Sequence, residues 1–511
     1  MSLLGIDVGT SRCKAAVFSK DGRHLASAYE EYDFQSPRPG WAELNAVEVW
    51  EKVKQTIREV TSSATSDPVE VLAVSSMGEA MVPVSEDREI LGPSPLNLDV
   101  RGEEYLESLH SALNDEFLYR INGNTLGNHY GLTKLKWIKE HQPDLYERTY
   151  KFLLWGSFVP FMLGAEPVVD YALANRTLLL DIDRGEWSEE IVGCSGLDRA
   201  KLPDVAPAGT VTGTVSAHIA REIGLSTGVL IVNGSHDQCA NAVGCGVISE
   251  GRATYGMGTV TCITPVFTRR REPDVMIGLG LNTEHHAVPG QYVSFIYNQG
   301  GALLKWFRDT FAAAERQEAA LLGRDIYSDL ISEMQPGPSG IMVLPHFTST
   351  GPPEFISDSC AVIAGLKLEK SRGDILKGII EGSTFYLKEC VESLPPTGIK
   401  ITDFRAVGGG SKSDAWIQIC ADIMGRPFIR PKVTEAGALG AAIIAGTGQG
   451  AFSSFQTGVE AMVRLDRTFD PDPEQQKRYA HWFEKYRQLH PLLREYLRDL
   501  ASSQTFSEQV N

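Results

Sequence analysis

The chain has 511 residues, of which 42% are hydrophobic and 22% charged. This is a globular composition in a chain too long for one core, so two domains are expected and three are possible. Forty-eight Lys and Arg against 65 Asp and Glu give a formal net charge of −17, which argues against nucleic acid and anionic membranes as partners but permits a local basic pocket. The eight cysteines form no CxxC pair. There is no leader-like start and no apolar run of membrane-spanning length, so reduced, mostly buried thiols and a cytoplasmic location are expected.

In chain order, residues 5–18 (GIDVGTSRCKAAVF) read as strand, tight turn, strand. An apolar run is broken by Asp7, turned at Gly9-Thr10, and resumed at Ala15. Gly9 offers positive φ and close backbone approach, and Thr10 and Ser11 offer hydroxyls and N–H groups to anionic oxygens. The plain alternative is a surface hairpin with an edge Asp. With a further turn at Asp21-Gly22, residues 3–33 read as a three-stranded antiparallel meander. Helical spacing covers 47–62, and a buried strand at 69–75 ends in Ser76-Met77-Gly78-Glu79-Ala80. Asp99 and Arg101 sit two apart, on one side if extended.

The middle of the chain is mixed, with a helix at 132–140 and apolar residues at 152–162. A short strand at 229–232 leads into Asn233-Gly234-Ser235-His236-Asp237-Gln238 and a small-residue helix at 239–245. The domain boundary is placed near Val247, giving domains 1–246 and 247–511. The second half opens with another strand, Gly258-Thr259 turn and strand. A strand at 292–298, a long helix at 372–394, a strand running into Gly408-Gly409-Gly410-Ser411, helices at 414–424 and 434–444, and a terminal helix at 474–499 follow. Residues 501–511 are expected to fray.

Each half therefore begins with a strand–Gly-Thr–strand hairpin, and two such hairpins facing across a cleft can grip a polyphosphate from both sides. Neither a Walker A loop nor G-x-G-x-x-G is present, so nucleotide binding needs another architecture. No metalloprotease histidine pair or nucleophile elbow occurs either.

In combination these segments resemble the FGGY carbohydrate kinases, built on the actin-like ATPase fold, over nearly the whole chain. GIDVGTSRCKAAVF resembles the family's first phosphate motif and YGMGTV its second. AVGGGSKSDAWIQICADIMGRP resembles its adenosine motif, EAGALGAA the helix that follows, and the HDQ of 236–238 the segment with the catalytic aspartate. The resemblance implies an α/β fold of two actin-like (ribonuclease H-like) domains around a cleft. It also implies ATP and Mg²⁺ as cofactors, a small sugar or polyol as partner, and possibly a homodimer. Asp237 is implied as the base that takes the acceptor hydroxyl's proton; a helix N-cap is its structural alternative. Asp7, with Asp237, is implied to orient Mg²⁺ through water. Thr10, Ser11, Lys14, Gly258, Thr259, Gly409, Gly410 and Asp414 are implied to hold the nucleotide. Lys14 reads equally as an exposed strand lysine and Asp414 as a helix N-terminal acid.

For the acceptor, Glu79, Asp99, Arg101, Asp237 and Gln238 are the candidates, because polyols are bound by charged and amide groups. Trp41, Trp137 and Tyr130 could stack on a sugar face, although core packing is the better reading of each Trp. Met77-Gly78-Glu79-Ala80 departs from the Gln-Met-His-Gly of xylulose kinases and keeps only the Glu of the glycerol kinase pattern, which leaves the substrate open. The expected reaction is ATP-dependent phosphorylation of a ketose or polyol hydroxyl. The alternatives are a kinase of a linear signalling sugar, and an actin-like or chaperone-like ATPase that controls a protein partner.

Overall fold

The computed structural model describes residues 2–63, 67–433 and 435–510, with side chains through residue 503. Thr434, read as the start of the small-residue helix, lies outside the described residues. In the first half, β1 (Ser2–Val8), β2 (Arg12–Ser19) and β3 (His24–Glu31) form the expected meander. Helix α1 (Ala46–Ser63) crosses over to β4 (Val69–Ser76), which runs parallel to β1. Val49, Val53, Ile57 and Val60 of α1 recur at three- and four-residue spacing and are all buried, the stripe that seats a helix on a sheet. β5 (Val211–Thr214) and β6 (Leu230–His236) complete the order β5-β6-β4-β1-β2-β3. β1 and β4 are almost continuously buried because both faces of this sheet are covered.

The second half repeats the plan. β7 (Gly251–Met257), β8 (Val260–Phe267) and β9 (Ile296–Gln299) are antiparallel neighbours. β10 (Ile401–Val407) lies parallel to β7, β11 (Phe428–Pro431) parallel to β10, and β12 (Leu465–Phe469) antiparallel to β11. The orientation pattern matches that of the first sheet strand for strand. Two short strands, Glu284–His285 and Tyr292–Val293, extend it beyond β8. The stretch 292–298, read as one strand, is thus split in two.

Helix α2 (Asp237–Gly244) follows β6 directly. Helices α3 (Arg372–Glu392) and α4 (Asp414–Met424) belong to the second half, α3 starting at a Ser371/Asp374 capping box. Helix α5 (Ala436–Gln449) belongs to the second half by sequence, yet it packs on β1, β4 and β6 of the first sheet and crosses α2. The terminal helix α6 continues past the expected end at 499 and runs Pro473–Val510. No Gly or Pro follows Pro491 to stop it. Among the described residues all eight cysteines are free thiols, with Cys194 exposed. No described helix is long and apolar enough to cross a membrane.

Tyr119 and the α2–α5 crossing are among the contacts that interlock the halves. Tyr119 of the first half is buried in the second half's core, its hydroxyl 3.0 Å from both the Leu281 carbonyl and the Thr283 hydroxyl. At the α2–α5 crossing, glycines allow backbone to meet backbone. A Cβ added at Gly440 would stand 1.8 Å from the Ala240 carbonyl oxygen, one at Gly5 of β1 1.8 Å from that of Ala438, and one at Gly244 1.9 Å from that of Ala436. Gly440→Ala is expected to separate this seam. Its thermal midpoint should fall by an amount equivalent to about 3 kcal/mol, the upper range for overpacking a tight contact. Gly193→Ala, inside the helix Glu189–Ser195 with nothing within 4 Å of the added methyl, should hold the midpoint or raise it slightly. Equal midpoints for both variants in calorimetry would show that the crossing is not under this constraint.

Candidate active site

The two Gly-Thr hairpins, the start of α2 and the start of α5 enclose one cavity of about 1200 Å³. Asp7, Thr10 and Lys14 reach it from the first hairpin, Gly258 from the second, Asp237 and Gln238 from α2, and Gly409 from the turn after β10. Segments more than 400 residues apart in sequence thus share one hollow. Gly9 does not use positive φ; a Cβ there would stand 3.3 Å from the Arg12 carbonyl oxygen. Positive φ falls instead at Gly408, at +88°.

Asp7 stands on β1 opposite Lys14 of β2. Ser75 of β4 donates to its Oδ1 at 2.6 Å. Gly437 leaves it room, since a Cβ there would come within 2.9 Å of Oδ2. Burial raises the Asp7 pKa, and the Ser75 bond and the Lys14 charge work against that rise. Lys14 does not project freely from its strand: it forms an ion pair with Glu435, the residue preceding α5.

Asp237 is the first residue of α2. The cap position belongs to His236, whose side chain makes no capping bond, so the N-cap alternative for Asp237 fails. Burial, then the charges of Asp7 and Glu79, push its pKa up to about 7. His236 Nε2 lies 3.2 Å from Asp237 Oδ1. Burial and the Arg176 guanidinium hold the His236 pKa well below its usual range, so this imidazole is neutral beside the acid.

Glu79 follows the end of β4, in a left-handed backbone conformation with φ 63°. Arg176 Nε donates to its Oε1 at 2.7 Å. The opposite side of Arg176 reaches Glu284 in the second half at 2.5 Å. Neither Arg176 nor Glu284 belongs to a motif visible in the chain. The available signal is that Arg176 is the only Lys or Arg between 152 and 183, in a mostly apolar stretch; such a cation needs a partner.

Several expected residues lie elsewhere. Asp99 and Arg101, expected at the acceptor, form a buried pair outside the cavity lining. The chain turns after Leu96 instead of running extended, with Asp99 N–H bonded to the Leu96 carbonyl at 3.1 Å. Arg101 donates to Asp99 at 2.7 and 2.9 Å and to Glu43 at 2.7 Å, while Ala42 N–H takes Asp99 Oδ2 at 2.6 Å. The Arg101 guanidinium lies 4.1 Å from the Trp41 ring centroid and 5.3 Å from that of Trp137, so these two rings hold an arginine in place of a sugar. Tyr130 does line the cavity, with the Arg176 guanidinium 4.9 Å from its ring centroid. Ser11 and Thr259 are exposed on their turns, outside the cavity lining. Gly410 is small for packing, because a Cβ would come within 2.6 Å of Trp416 and 2.9 Å of Met257. The Asp414 carboxylate is occupied by Arg430 at 2.7 Å and by Arg467.

Two sheets of one topology, closed on a cavity with paired acids between facing hairpins, define the actin-like class of two-domain phosphotransferases. The chain belongs to the FGGY family of carbohydrate kinases: the family's N-terminal domain matches residues 2–244 and its C-terminal domain residues 257–448. It is 27% identical to a xylulose kinase of Bacillus subtilis over 490 residues, covering 96% of both chains. It is 29% identical to an autoinducer-2 kinase of Escherichia coli over 517 residues, covering 96% of this chain and 94% of the relative. The crystal structure of xylulose kinase from Rhodospirillum rubrum superposes with a TM-score of 0.84 at 25% identity, over 97% of this chain and all of that one. Sugar kinases of this family use ATP, and an ATPase that only controls a protein partner is set aside.

The Asp237 environment has a measurable cost. The unfolded carboxyl titrates near 3.8 and the folded one near 7. The folded state therefore binds the proton more tightly, and stability is lost as pH rises through that window. In metal-free buffer, Asp237→Asn should melt higher than wild type at pH 8, with the difference shrinking toward pH 5. A difference independent of pH in scanning calorimetry would contradict the assigned environment.

Proposed function

We propose that the protein transfers the γ-phosphoryl group of ATP to a hydroxyl of a ketose or polyol, with Asp237 as the general base. The observation that carries this reading is the Asp237 carboxyl, pushed up to about 7 by burial and by the neighbouring acids, in the cavity where both hairpins converge. A sugar hydroxyl is a weak acid and a poor nucleophile. Asp237 accepts its proton as the oxygen–phosphorus bond forms and the bond to ADP breaks. The hydroxyl oxygen becomes the phosphate ester oxygen, and the proton stays on Asp237 until it is released to solvent.

The nucleotide is assigned to the hairpins. Thr10 at the lined turn and Thr259 at the exposed one offer hydroxyl and N–H donors to the β- and γ-phosphates. Gly409, with nothing within 4 Å of an added Cβ, leaves open space for the α-phosphate and ribose. Lys14 supplies a positive charge once its Glu435 partner yields it. Gln238 and Glu79 hold acceptor hydroxyls at the other end.

The residues present fit Mg²⁺. Asp7 and Asp237 are close enough for the charge of Asp7 to raise the pKa of Asp237. Among the described residues no cluster of three or more His, Cys, Asp or Glu could hold a metal by themselves. That suits an ion which keeps its waters and takes its remaining ligands from phosphate oxygens. Bound there, Mg²⁺ supplies charge neutralisation for the transferring phosphoryl group. The 29% identity to an autoinducer-2 kinase favours, as a second reading, an acceptor of the linear signalling-sugar type.

Asp237→Asn should bind ATP as wild type does and lose about 10²- to 10⁴-fold in kcat, measured by ADP release over a panel of pentuloses, hexuloses, polyols and linear signalling sugars. Turnover near the wild-type rate would remove Asp237 as the base. In wild type, kcat/KM should rise with pH through about 7, as expected for a base that must be ionised. Chelating the divalent metal should abolish turnover, and Asp7→Asn should raise the Mg²⁺ concentration needed for half-maximal rate. An unchanged Mg²⁺ requirement would move the ion away from Asp7.

A further inference from the structure

Arg176 is largely buried, lines the cavity and bridges the two halves there. Its Nε and Nη2 go to Glu79 Oε1 of the first half, and its Nη1 goes to Glu284 Oε1 of the second. Asn282 adds a bond to that same Glu284 oxygen at 2.6 Å, which leaves Glu284 Oε2 buried with no partner. Two carboxylates thus share one guanidinium, so its positive charge is already matched. Asp237 stands in the same cavity. The remaining cations of the cavity wall, Arg12, Lys14 and Lys412, stand on the first phosphate hairpin and the glycine turn.

Gly78 explains how the arginine fits. A Cβ there would stand 3.1 Å from Arg176 Cγ and 3.2 Å from His236 Nε2. The missing side chain, one of the points where this chain departs from the xylulose and glycerol kinase patterns, is the space the guanidinium stem occupies. Tyr130 and Phe295 flank the same group, with ring centroids 4.9 and 5.8 Å from its central carbon. An arginine bonded to both Glu79 and Glu284 cannot turn to meet a ligand without leaving a carboxylate unpaired.

We propose that Arg176 is a specificity-determining positioning residue: tied to Glu79 and Glu284, it aims Glu79 at acceptor hydroxyls and leaves no free cation for an acid, so the site takes neutral polyhydroxylated acceptors and rejects aldonates. This rests on the kinase reading above. An aldonate carboxylate entering beside Glu79 loses its water and gains only repulsion, whereas neutral hydroxyls donate to the same carboxylate. Discrimination comes from what the site withholds as much as from what it offers.

The test is a matched acceptor panel on the full-length wild-type protein, comparing neutral ketoses and polyols with gluconate by ADP release. Gluconate is expected at least 100-fold below the best neutral acceptor in kcat/KM; a smaller gap overturns the proposal. Glu284→Gln removes one of the two carboxylates, and it should narrow that gap at least tenfold with the KM for ATP unchanged. A folded Glu284→Gln enzyme with the wild-type ratio also overturns it. Arg176→Lys keeps the charge without the fork, and it should raise the KM for the neutral acceptor while leaving the KM for ATP in place, a split that general loosening would not produce. If either variant fails to fold, the wild-type panel decides alone. If no acceptor yields ADP, the kinase reading fails, and calorimetric binding of a neutral ketose against gluconate to wild type decides the charge inference separately.

Discussion

The structure depends on backbone meeting backbone where α5 lies across β1 and α2. Gly5, Gly244 and Gly440 each leave a neighbouring carbonyl where a methyl group would stand, at 1.8 to 1.9 Å. A helix from the second half is thereby seated on the sheet of the first. Its first turn brings Gly437 against Asp7, and the preceding residue, Glu435, against Lys14. The acid at the end of β1, the acid at the start of α2 and the two Gly-Thr hairpins therefore share one cavity. Gly costs conformational entropy inside a helix, and α5 retains Gly437, Gly440, Gly446 and Gly448. That cost is tolerated because close approach is what assembles the site.

The site also runs against the usual rules of burial. Asp7, Glu79, Asp237 and Glu284 crowd one region with Arg176 bonded between Glu79 and Glu284, and His236 is held neutral beside Asp237. Unpaired buried charge is destabilising, and protons take up part of the strain: the Asp237, Asp7 and Glu284 pKa values all rise. Such clusters mark functional sites because the same desolvation that destabilises the fold prepares a base for work near neutral pH. Glu79, in left-handed backbone, adds local strain at the same place.

The elements of the chain were largely legible because their signals are local. The three-stranded meander, α1, α4 and the Gly-Thr turns follow from apolar spacing and turn residues within windows of about 20 residues. Local signals did not reach placements that depend on a backbone path. Asp99 and Arg101 face one way only if extended, and the chain turns, so they bind each other. Gly410 reads as a phosphate contact until Trp416 and Met257 are seen above it. Arg176 and Glu284, 108 residues apart, form a pair that neither segment announces.

Periodicity and turn chemistry were enough for the paired hairpins, and the motifs' resemblance to the family carried the two-domain α/β class and the acid at the start of α2, since each motif is written in consecutive residues. Tertiary contact alone decided which of the acids share the cavity, which arginine is spent on tryptophan rings and which on Glu79 and Glu284, and how close α5 comes to β1. Those outcomes depend on distances between segments hundreds of positions apart, set by shape and by the room that missing side chains leave, and no local pattern encodes them.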